Sequence, residues 1–320
     1  MIRTAECVSP MHPDKMCDRI SDTLLDLHLQ QDPTSRVAIE TCGGMGEVYI
    51  TGEVTSNAVV TRENIVKVVH DVTTDDSVNV IININVQSPE IANGVDTGGA
   101  GDQGIMIGYA CNENEQFVPQ EYYLSRELNK FVFEKYPFDG KTQVTMNGNS
   151  LRVVCSFQKA PRVELEKLVT EFFKPYKQYA IEALHCNPAG DWNIGGFTAD
   201  AGLTGRKLAV DNYGPRVPIG GGAFSGKDST KVDRSAAYMA RRIAVDLLKE
   251  HNAEEVLVHL AYAIGYDQPL QATAIIDGNH SFIKGYDLSP KGIIEFLDLT
   301  KPIFASTAGF GHMGCGFNWK

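Results

Sequence analysis

The chain lacks the features that mark secreted, membrane-spanning and nucleic-acid-binding proteins. Its 7 cysteines are scattered and form no C-x-x-C pair, which disfavours a disulfide framework or zinc site and predicts reduced thiols in the cytoplasm. MIRTAECVSP carries no apolar segment, so we expect no signal peptide. The most apolar run, residues 256–265, is too short to span a bilayer. A formal net charge of -11 leaves no general basic surface for nucleic acid.

The composition that remains is that of an ordinary globular protein, with 43% hydrophobic and 22% charged residues. The order hairpin, helix, strand recurs about three times along the chain. It predicts an α+β protein of three similar units, each a sheet with helices packed on one face. We place the domains at residues 1–97, 98–196 and 197–320, and we allow for segments exchanged between them.

Apolar spacing and turn residues predict the individual elements. Two expectations matter below. Residues 179–186 and 192–196 are predicted to form a strand pair, and Ser229 is predicted to cap a long helix. The predicted helices cover residues 14–31, 61–72, 120–136, 162–173, 229–251 and 290–299.

A glycine-rich stretch from Gly220 to Arg234, GGGAFSGKDSTKVDR, is the first candidate site. Its glycines let backbone approach a ligand closely, and Lys227 and Lys231 suggest an anion. Asp228 occupies the position where a P-loop needs Ser or Thr, and no buried strand precedes the stretch, so we reject a P-loop. Polyphosphate binding and a solvated loop both remain open.

A second glycine pattern, G-x-G-x-x-G at residues 99–104, does not predict a dinucleotide fold. A strand follows it where that fold requires a helix. The loop from Gln87 to Gly104 is predicted instead to act as a lid.

Acidic residues near the start of the chain allow two interpretations each. Asp14 follows His12 at a predicted helix N-terminus, where a carboxylate either complements the helix dipole or shares Mg²⁺ with bound phosphate. Glu40 and Glu53 lie on predicted strands, where solvent-facing glutamates are common.

Four motifs together resemble the S-adenosylmethionine synthetase family, whose enzymes are also called methionine adenosyltransferases. They are HPDK at 12–15, GAGDQG at 99–104, DAGLTGRK at 200–207 and GGGAFSGKDSTKVDRSAAY at 220–238. The resemblance implies three α+β domains around a pseudo-threefold axis. It also implies that the sulfur of methionine attacks C5′ of ATP, and that tripolyphosphate is then cleaved to pyrophosphate and phosphate. The four motifs occur in the family's order along the chain.

The resemblance also assigns roles to residues. The implied Mg²⁺ ligands for two ions per site are Asp14 and Asp233, and Glu40 is the implied ligand of one K⁺. The implied catalytic polyphosphate cluster is His12, Lys141, Arg206, Lys207, Lys227 and Lys231. ATP would further contact Asp102, Asp139, Gly140, Asp191, Trp192, Asp200 and Ala223, with Trp192 standing where the family usually has a Phe that stacks on adenine. Methionine would contact Glu53, Gln87, Asp200 and Lys231.

The implied assembly is a homodimer with shared active sites, in which Glu53, Gln87 and Asp102 complete the partner's site; dimers of this family often pair into tetramers. Two departures from the family stand out: Pro10-Met11 replaces Glu-Gly before HPDK, and the loop after Gln87 is short. Two other functions stay open. One is a non-catalytic ATP-binding regulatory subunit, and the other is a relaxed adenosyltransferase or tripolyphosphatase.

Overall fold

Three four-stranded sheets form the framework of the protein. The computed structural model describes residues 1–87 and 98–319, so the predicted lid lies largely outside the described residues. In chain order the elements are β1 (Ile2–Val8), α1 (Pro13–Gln31), β2 (Arg36–Gly44), β3 (Glu47–Thr55), α2 (Arg62–Thr73), β4 (Asn79–Asn85), β5 (Gly104–Cys111), α3 (Gln120–Lys135), β6 (Gly140–Asn147), β7 (Ser150–Phe157), α4 (Arg162–Phe173), β8 (Ala180–Cys186), β9 (Gly202–Leu203), α5 (Leu208–Asp211), α6 (Val232–His251), β10 (Glu255–Tyr262), β11 (Gln271–Ile276), β12 (Asn279–Phe282) and α7 (Pro290–Leu297).

The sheets share one plan, which confirms the predicted fold of three sheet-plus-helix units. Their strand orders are β9-β2-β3-β4, β1-β6-β7-β8 and β5-β10-β11-β12. In each sheet an antiparallel hairpin occupies the centre. A long helix precedes each hairpin and packs on its sheet: α1 on β2, α3 on β6 and α6 on β10. The apolar face of each helix is thereby removed from water.

One edge strand of each sheet comes from a distant part of the chain. β1 pairs with β6, β5 pairs with β10, and the two-residue β9 pairs with β2. The sheets therefore cross the ranges 1–97, 98–196 and 197–320, as an exchange of segments would require. The domain boundaries themselves stay a prediction.

Two predicted elements are wrong. β8 pairs in parallel with β7 and not with residues 192–196. Residues 192–196 form no strand. Their backbone instead bonds to other loops: the Trp192 carbonyl accepts from the Lys159 N–H, and the Gly196 N–H donates to the Asp139 carboxylate. α6 begins at Val232, and its N-cap is Lys231, not Ser229. The preceding residues are held to β2 instead: the Asp228 N–H donates to the Val37 carbonyl at 3.0 Å.

Two simpler expectations concern thiols and membranes. All the cysteines are free in the structure, in keeping with the predicted reduced thiols. In the part of the chain that the structure describes, none of the helices combines the length and the apolar character that crossing a membrane requires.

Candidate active site

The N-terminus of α1 and the loop after β9 form one half of the site. The His12 ring caps the helix, since its Nδ1 accepts from the Asp14 N–H at 3.2 Å. Lys207 Nζ lies 2.5 Å from one carboxylate oxygen of Asp14, and Arg206 lies 3.5 Å from the other. Two cations predicted to bind phosphate therefore meet a predicted Mg²⁺ ligand at a helix N-terminus, where anions are favoured.

The surroundings of this half lower the pKa values of both His12 and Asp14. Burial and the positive charge of Lys207 lower the pKa of His12 to about 4. Burial pushes the pKa of Asp14 upward, but hydrogen bonds from Lys207 and from the Leu203 N–H outweigh it and lower the pKa. Near neutral pH the site thus presents a neutral imidazole beside an ionised carboxylate.

Four aspartates at a spacing of four residues, Asp14, Asp18, Asp22 and Asp26, form a buried row along α1, which we call the aspartate row. In an α-helix this spacing places side chains one above the other on a single face. Each aspartate accepts hydrogen bonds from the backbone of a distant loop. The donors are Leu203 to Asp14 (3.0 Å), Gly205 to Asp18 (2.8 Å), Gly226 to Asp22 (2.8 Å), and Phe304 and Ala305 to Asp26 (3.0 and 2.8 Å).

Buried cations balance the middle of the aspartate row. Lys15 Nζ lies 2.9 Å from Asp18 and 2.6 Å from Asp211, with all three side chains buried. Burial raises the pKa of Asp18 despite Lys15, and the charge of Asp211 adds to the rise. Arg234 grips Asp22 with both ends of its guanidinium, at 2.6 and 2.9 Å. The row therefore fixes the loops that carry Arg206, Lys207 and Lys227 against one rigid helix.

The glycine-rich stretch forms the other half of the site. Its backbone runs beside β2, where the Ile39 N–H donates to the Gly226 carbonyl at 3.0 Å. Lys227 Nζ lies 2.6 Å from Asp233, and Lys231 Nζ lies 2.5 Å from Asp228. Both lysines precede α6, which begins at Val232.

Glycines bring the two halves into contact. A Cβ on Gly205 would lie 2.5 Å from the Cβ of Ala223, so the loop bearing Arg206 touches the glycine-rich stretch. A Cβ on Gly222 would lie 2.3 Å from the Asp233 carboxyl carbon. Only glycine permits these approaches. The structure thus joins the Asp14 group to the Asp233 group through backbone contact.

Lys141 and Asp200, two of the residues predicted to bind ATP, lie near His12. The Asp139 carboxylate accepts from the Gly196 N–H at 3.0 Å, and burial raises its pKa. Lys141, which follows Gly140 on β6, and Asp200 both act on the charge of His12. Lys141 Nζ also lies 3.5 Å from Glu6.

A separate pair, Asp191 and Trp192, lies on the loop after β8. Asp191 accepts from the Arg162 N–H at 2.9 Å, and the half-buried Trp192 indole donates to Asn187 at 3.3 Å.

Two of the four predicted methionine residues, Gln87 and Glu53, lie beside β2. Gln87 donates to Glu53 at 3.1 Å. Glu53 on β3 pairs with Ala38 on β2, and Ala38 also forms an isolated β-bridge to Lys227. Glu40 and Asp102 are exposed. The Asp102 carboxylate accepts from its neighbour Gln103, and the contacts described above do not join either residue to the cluster.

The donor set suits Mg²⁺ shared with a substrate. Within residues 1–87 and 98–319, no group of three or more His, Cys, Asp or Glu side chains is arranged to hold a metal ion. Asp14 and Asp233 instead offer one carboxylate in each half. Mg²⁺ is commonly held by one or two carboxylates together with phosphate oxygens, and these residues fit that requirement.

Sequence reasoning missed the buried residues that support the site: Lys15, Asp18, Asp22, Asp211, Arg234 and Asn187. The period of four in the aspartate row is the signal that could have found two of them, Asp18 and Asp22. Arg234 and Asp211 offered no such signal, because their partners lie far away in the sequence.

Two carboxylates, a group of Lys and Arg side chains and close glycine backbone are typical of enzymes that bind a polyphosphate. The relatives of this chain narrow the class. Models of the N-terminal, central and C-terminal domains of S-adenosylmethionine synthetase match residues 1–94, 97–191 and 194–320. The chain belongs to the S-adenosylmethionine synthetase family, which typically uses Mg²⁺ and K⁺.

Individual relatives match over nearly their whole length. The S-adenosylmethionine synthase of Pelagibacter ubique is 41% identical, over 97% of this chain and 92% of that protein. That of Sulfurimonas denitrificans is 40% identical, over 100% and 93%. A solved structure, described as an unusual S-adenosylmethionine synthetase from Campylobacter jejuni, has a TM-score of 0.90 at 32% identity and covers 99% of this chain and 96% of that one.

Proposed function

We propose that this chain forms S-adenosylmethionine from ATP and L-methionine and then hydrolyses the tripolyphosphate to pyrophosphate and phosphate. One observation supports the proposal above the rest. Two carboxylate–cation groups, Asp14 with Lys207 and Asp233 with Lys227, are joined across the contact of Gly205 with Ala223. That arrangement suits a ligand that carries several negative charges in a row.

The reaction needs orientation and charge stabilisation more than proton transfer. Methionine sulfur is a neutral thioether, so attack on C5′ requires no base. The lowered pKa of His12 agrees with this, because a neutral imidazole can donate one hydrogen bond to the leaving triphosphate without titrating near pH 7. The triphosphate would be held in line, and its charge offset, by five cationic side chains: Arg206, Lys207, Lys227, Lys231 and Lys141.

Asp14 and Asp233 would hold two Mg²⁺ ions, which when bound neutralise charge on the phosphate oxygens. Glu40 would supply an oxygen ligand to K⁺; its exposed carboxylate is chemically suitable. The hydrolysis of tripolyphosphate would use the same cations, because that product occupies the position of the ATP phosphates.

The remaining contacts divide between adenosine and methionine. Adenosine would lie against Trp192, near Asp102, Asp139, Gly140, Asp191 and Ala223. Methionine would contact Glu53, Gln87, Asp200 and Lys231. Glu53, Gln87 and Asp102 would serve the partner's site in a homodimer, and dimers could pair into a tetramer. A cytoplasmic location rests on family resemblance alone.

The decisive experiment is incubation with ATP, methionine, Mg²⁺ and K⁺, followed by mass spectrometry for the sulfonium product and colorimetry for phosphate. Asp14→Asn should lose most of both products, because a neutral amide replaces the carboxylate that pairs with Lys207. Asp71→Asn is the matched control, since its ion pair with Lys67 is exposed on α2 and should not matter.

The two alternative functions, a relaxed enzyme and a regulatory subunit, would give different results in the same assay. Phosphate without sulfonium product would indicate a tripolyphosphatase or an adenosyltransferase for another sulfur compound. Bound ATP with neither product would indicate a regulatory subunit. Sulfonium product in the wild type and in Asp14→Asn alike would refute the proposed role of Asp14.

A further inference from the structure

Asn187 follows β8 and is 2% exposed. Its backbone has φ of 40°, in the left-handed region that Asn and Gly tolerate best. The Asn187 N–H donates to the Cys155 carbonyl, and the Asn187 carbonyl accepts from the Gly190 N–H. The residue is therefore fixed at the start of the loop that carries Asp191 and Trp192.

The amide of Asn187 is fully used. Its oxygen accepts from the Phe157 N–H at 3.1 Å and from Trp192 Nε1 at 3.3 Å. Its nitrogen donates to the Ala160 carbonyl at 2.8 Å and to the Asp191 carboxylate at 3.1 Å. Two donors and two acceptor sites are the whole capacity of an amide. The backbone N–H of Phe157 and the carbonyl of Ala160 fix which end is which, so the Trp192 indole always faces the oxygen.

Trp192 is restrained from other sides as well. Its carbonyl accepts from the Lys159 N–H at 2.8 Å. A Cβ on Gly195 would lie 2.8 Å from the indole ring, so the loop backbone passes close to the ring. A Phe at this position would have no N–H to anchor. The indole instead gains a polar anchor, and Asn187 is the residue that provides it.

We propose that Asn187 is a positioning residue for the purine of ATP and acts by fixing the Trp192 indole and the Asp191 carboxylate. This inference rests on the proposed function, because it takes Trp192 to be the surface on which adenine stacks. The phosphate-binding cations lie on other loops and do not depend on Asn187. Loss of the amide should therefore weaken ATP binding and spare hydrolysis of added tripolyphosphate.

The test compares Asn187→Gly, Trp192→Phe and the double variant. Glycine accepts a φ of 40° and keeps the backbone while deleting the amide. Tryptophan fluorescence reports the ring directly, because the other tryptophan, Trp319, is fully buried and stacked 3.9 Å from Tyr238. Acrylamide quenching of protein without nucleotide thus measures Trp192.

In Asn187→Gly we expect quenching to rise about twofold and KM for ATP to rise roughly tenfold, the loss of one or two hydrogen bonds. Turnover at saturating ATP and tripolyphosphate hydrolysis should stay within about threefold of wild type. Trp192→Phe should raise KM for ATP, and adding Asn187→Gly to it should raise KM by much less than tenfold, because the two residues act together.

Unchanged quenching with unchanged KM for ATP in Asn187→Gly would overturn the proposal. So would an equal loss of tripolyphosphate hydrolysis, which would show a general structural defect. If Asn187→Gly does not fold, Asn187→Ser, whose short side chain withdraws the amide from Trp192 and Asp191, takes its place, and an unchanged KM for ATP in that variant refutes the proposal. If the wild type makes no sulfonium product, the proposed function is refuted, but the positioning role of Asn187 can still be tested by equilibrium dialysis with ATP. A Kd for ATP about tenfold weaker in Asn187→Gly would then support the positioning role, and an unchanged Kd would refute it.

Discussion

Replacing Arg234 by methionine should destabilise the protein and disable the site at once. Arg234 and Asp22 are both fully buried, and the guanidinium also donates to the Lys227 carbonyl at 3.1 Å. Removing one partner of a buried pair leaves an uncompensated charge and costs about 3–5 kcal/mol. With an unfolding entropy of about 2.1 cal/mol/K per residue over 320 residues, that cost lowers Tm by about 4–8 °C.

The assay is thermal unfolding by circular dichroism at fixed protein concentration, with product formation measured in parallel. Arg242→Met is the matched control. Arg242 lies on the same helix and pairs with Asp246 at 2.8 Å, but both side chains are about a third exposed. Its loss should cost less than about 1 kcal/mol, or under about 2 °C.

The double variant Asp22→Leu/Arg234→Met separates stability from activity. Apolar replacement of both partners is often neutral, so Tm should recover most of the loss. Activity should stay at least about tenfold low, because the Gly226 N–H and the Lys227 carbonyl lose their anchors. A single variant that melts within 1 °C of wild type, or a double variant that regains full activity, would refute the reasoning.

Three further predictions concern other parts of the site. His12 has a pKa of about 4 in the folded protein against an ordinary 6.5, so its imidazole should be neutral at pH 6 by NMR, and an NMR titration midpoint near 6.5 would contradict this. The free energy of unfolding should fall as pH drops from about 6.5 towards 4, because the unfolded chain then binds a proton that the folded chain does not. Asp233→Asn should raise the Mg²⁺ concentration for half-maximal rate about tenfold and lower turnover, and unchanged turnover at saturating Mg²⁺ would remove Asp233 from the metal site. Gly202→Ala should cut activity at least about tenfold, because its Cβ would lie 2.2 Å from the Pro13 backbone, whereas Gly309→Ala, with only a 3.7 Å neighbour, should be silent; equal effects would disprove the clash.

Local patterns predicted most of the fold because the elements are strongly periodic. Apolar spacing placed α1 to within one residue of its observed start, and Asn147-Gly148 marked the turn between β6 and β7. The predicted strand at residues 192–196 does not form, because tertiary hydrogen bonds from Trp192 to Asn187 and from Gly196 to Asp139 outweigh local strand propensity. β9 is too short to carry any pattern, although it delivers Arg206 and Lys207 to Asp14.

The family resemblance, more than residue spacing, predicted which residues form the site. Charge at a helix N-terminus left Asp14 with two interpretations, and its contact with Lys207, 193 residues away in the sequence, is visible only in the folded structure. The buried partners Asp22 and Arg234 are 212 residues apart. Pairings of that separation depend on the completed fold, so a single sequence cannot display them.

The aspartate row can acquire its hydrogen-bond partners only late in the synthesis of the chain. Its four carboxylates leave the ribosome with the first few dozen residues, but Gly226 follows Asp22 by 204 positions and Phe304 follows Asp26 by 278. At about 5–20 residues per second, the last partner is made tens of seconds later. Like charges four apart weaken an isolated helix, and within the same helix Lys15 pairs only with Asp18, so Asp22 and Asp26 lack their final hydrogen-bond donors until the later loops are made.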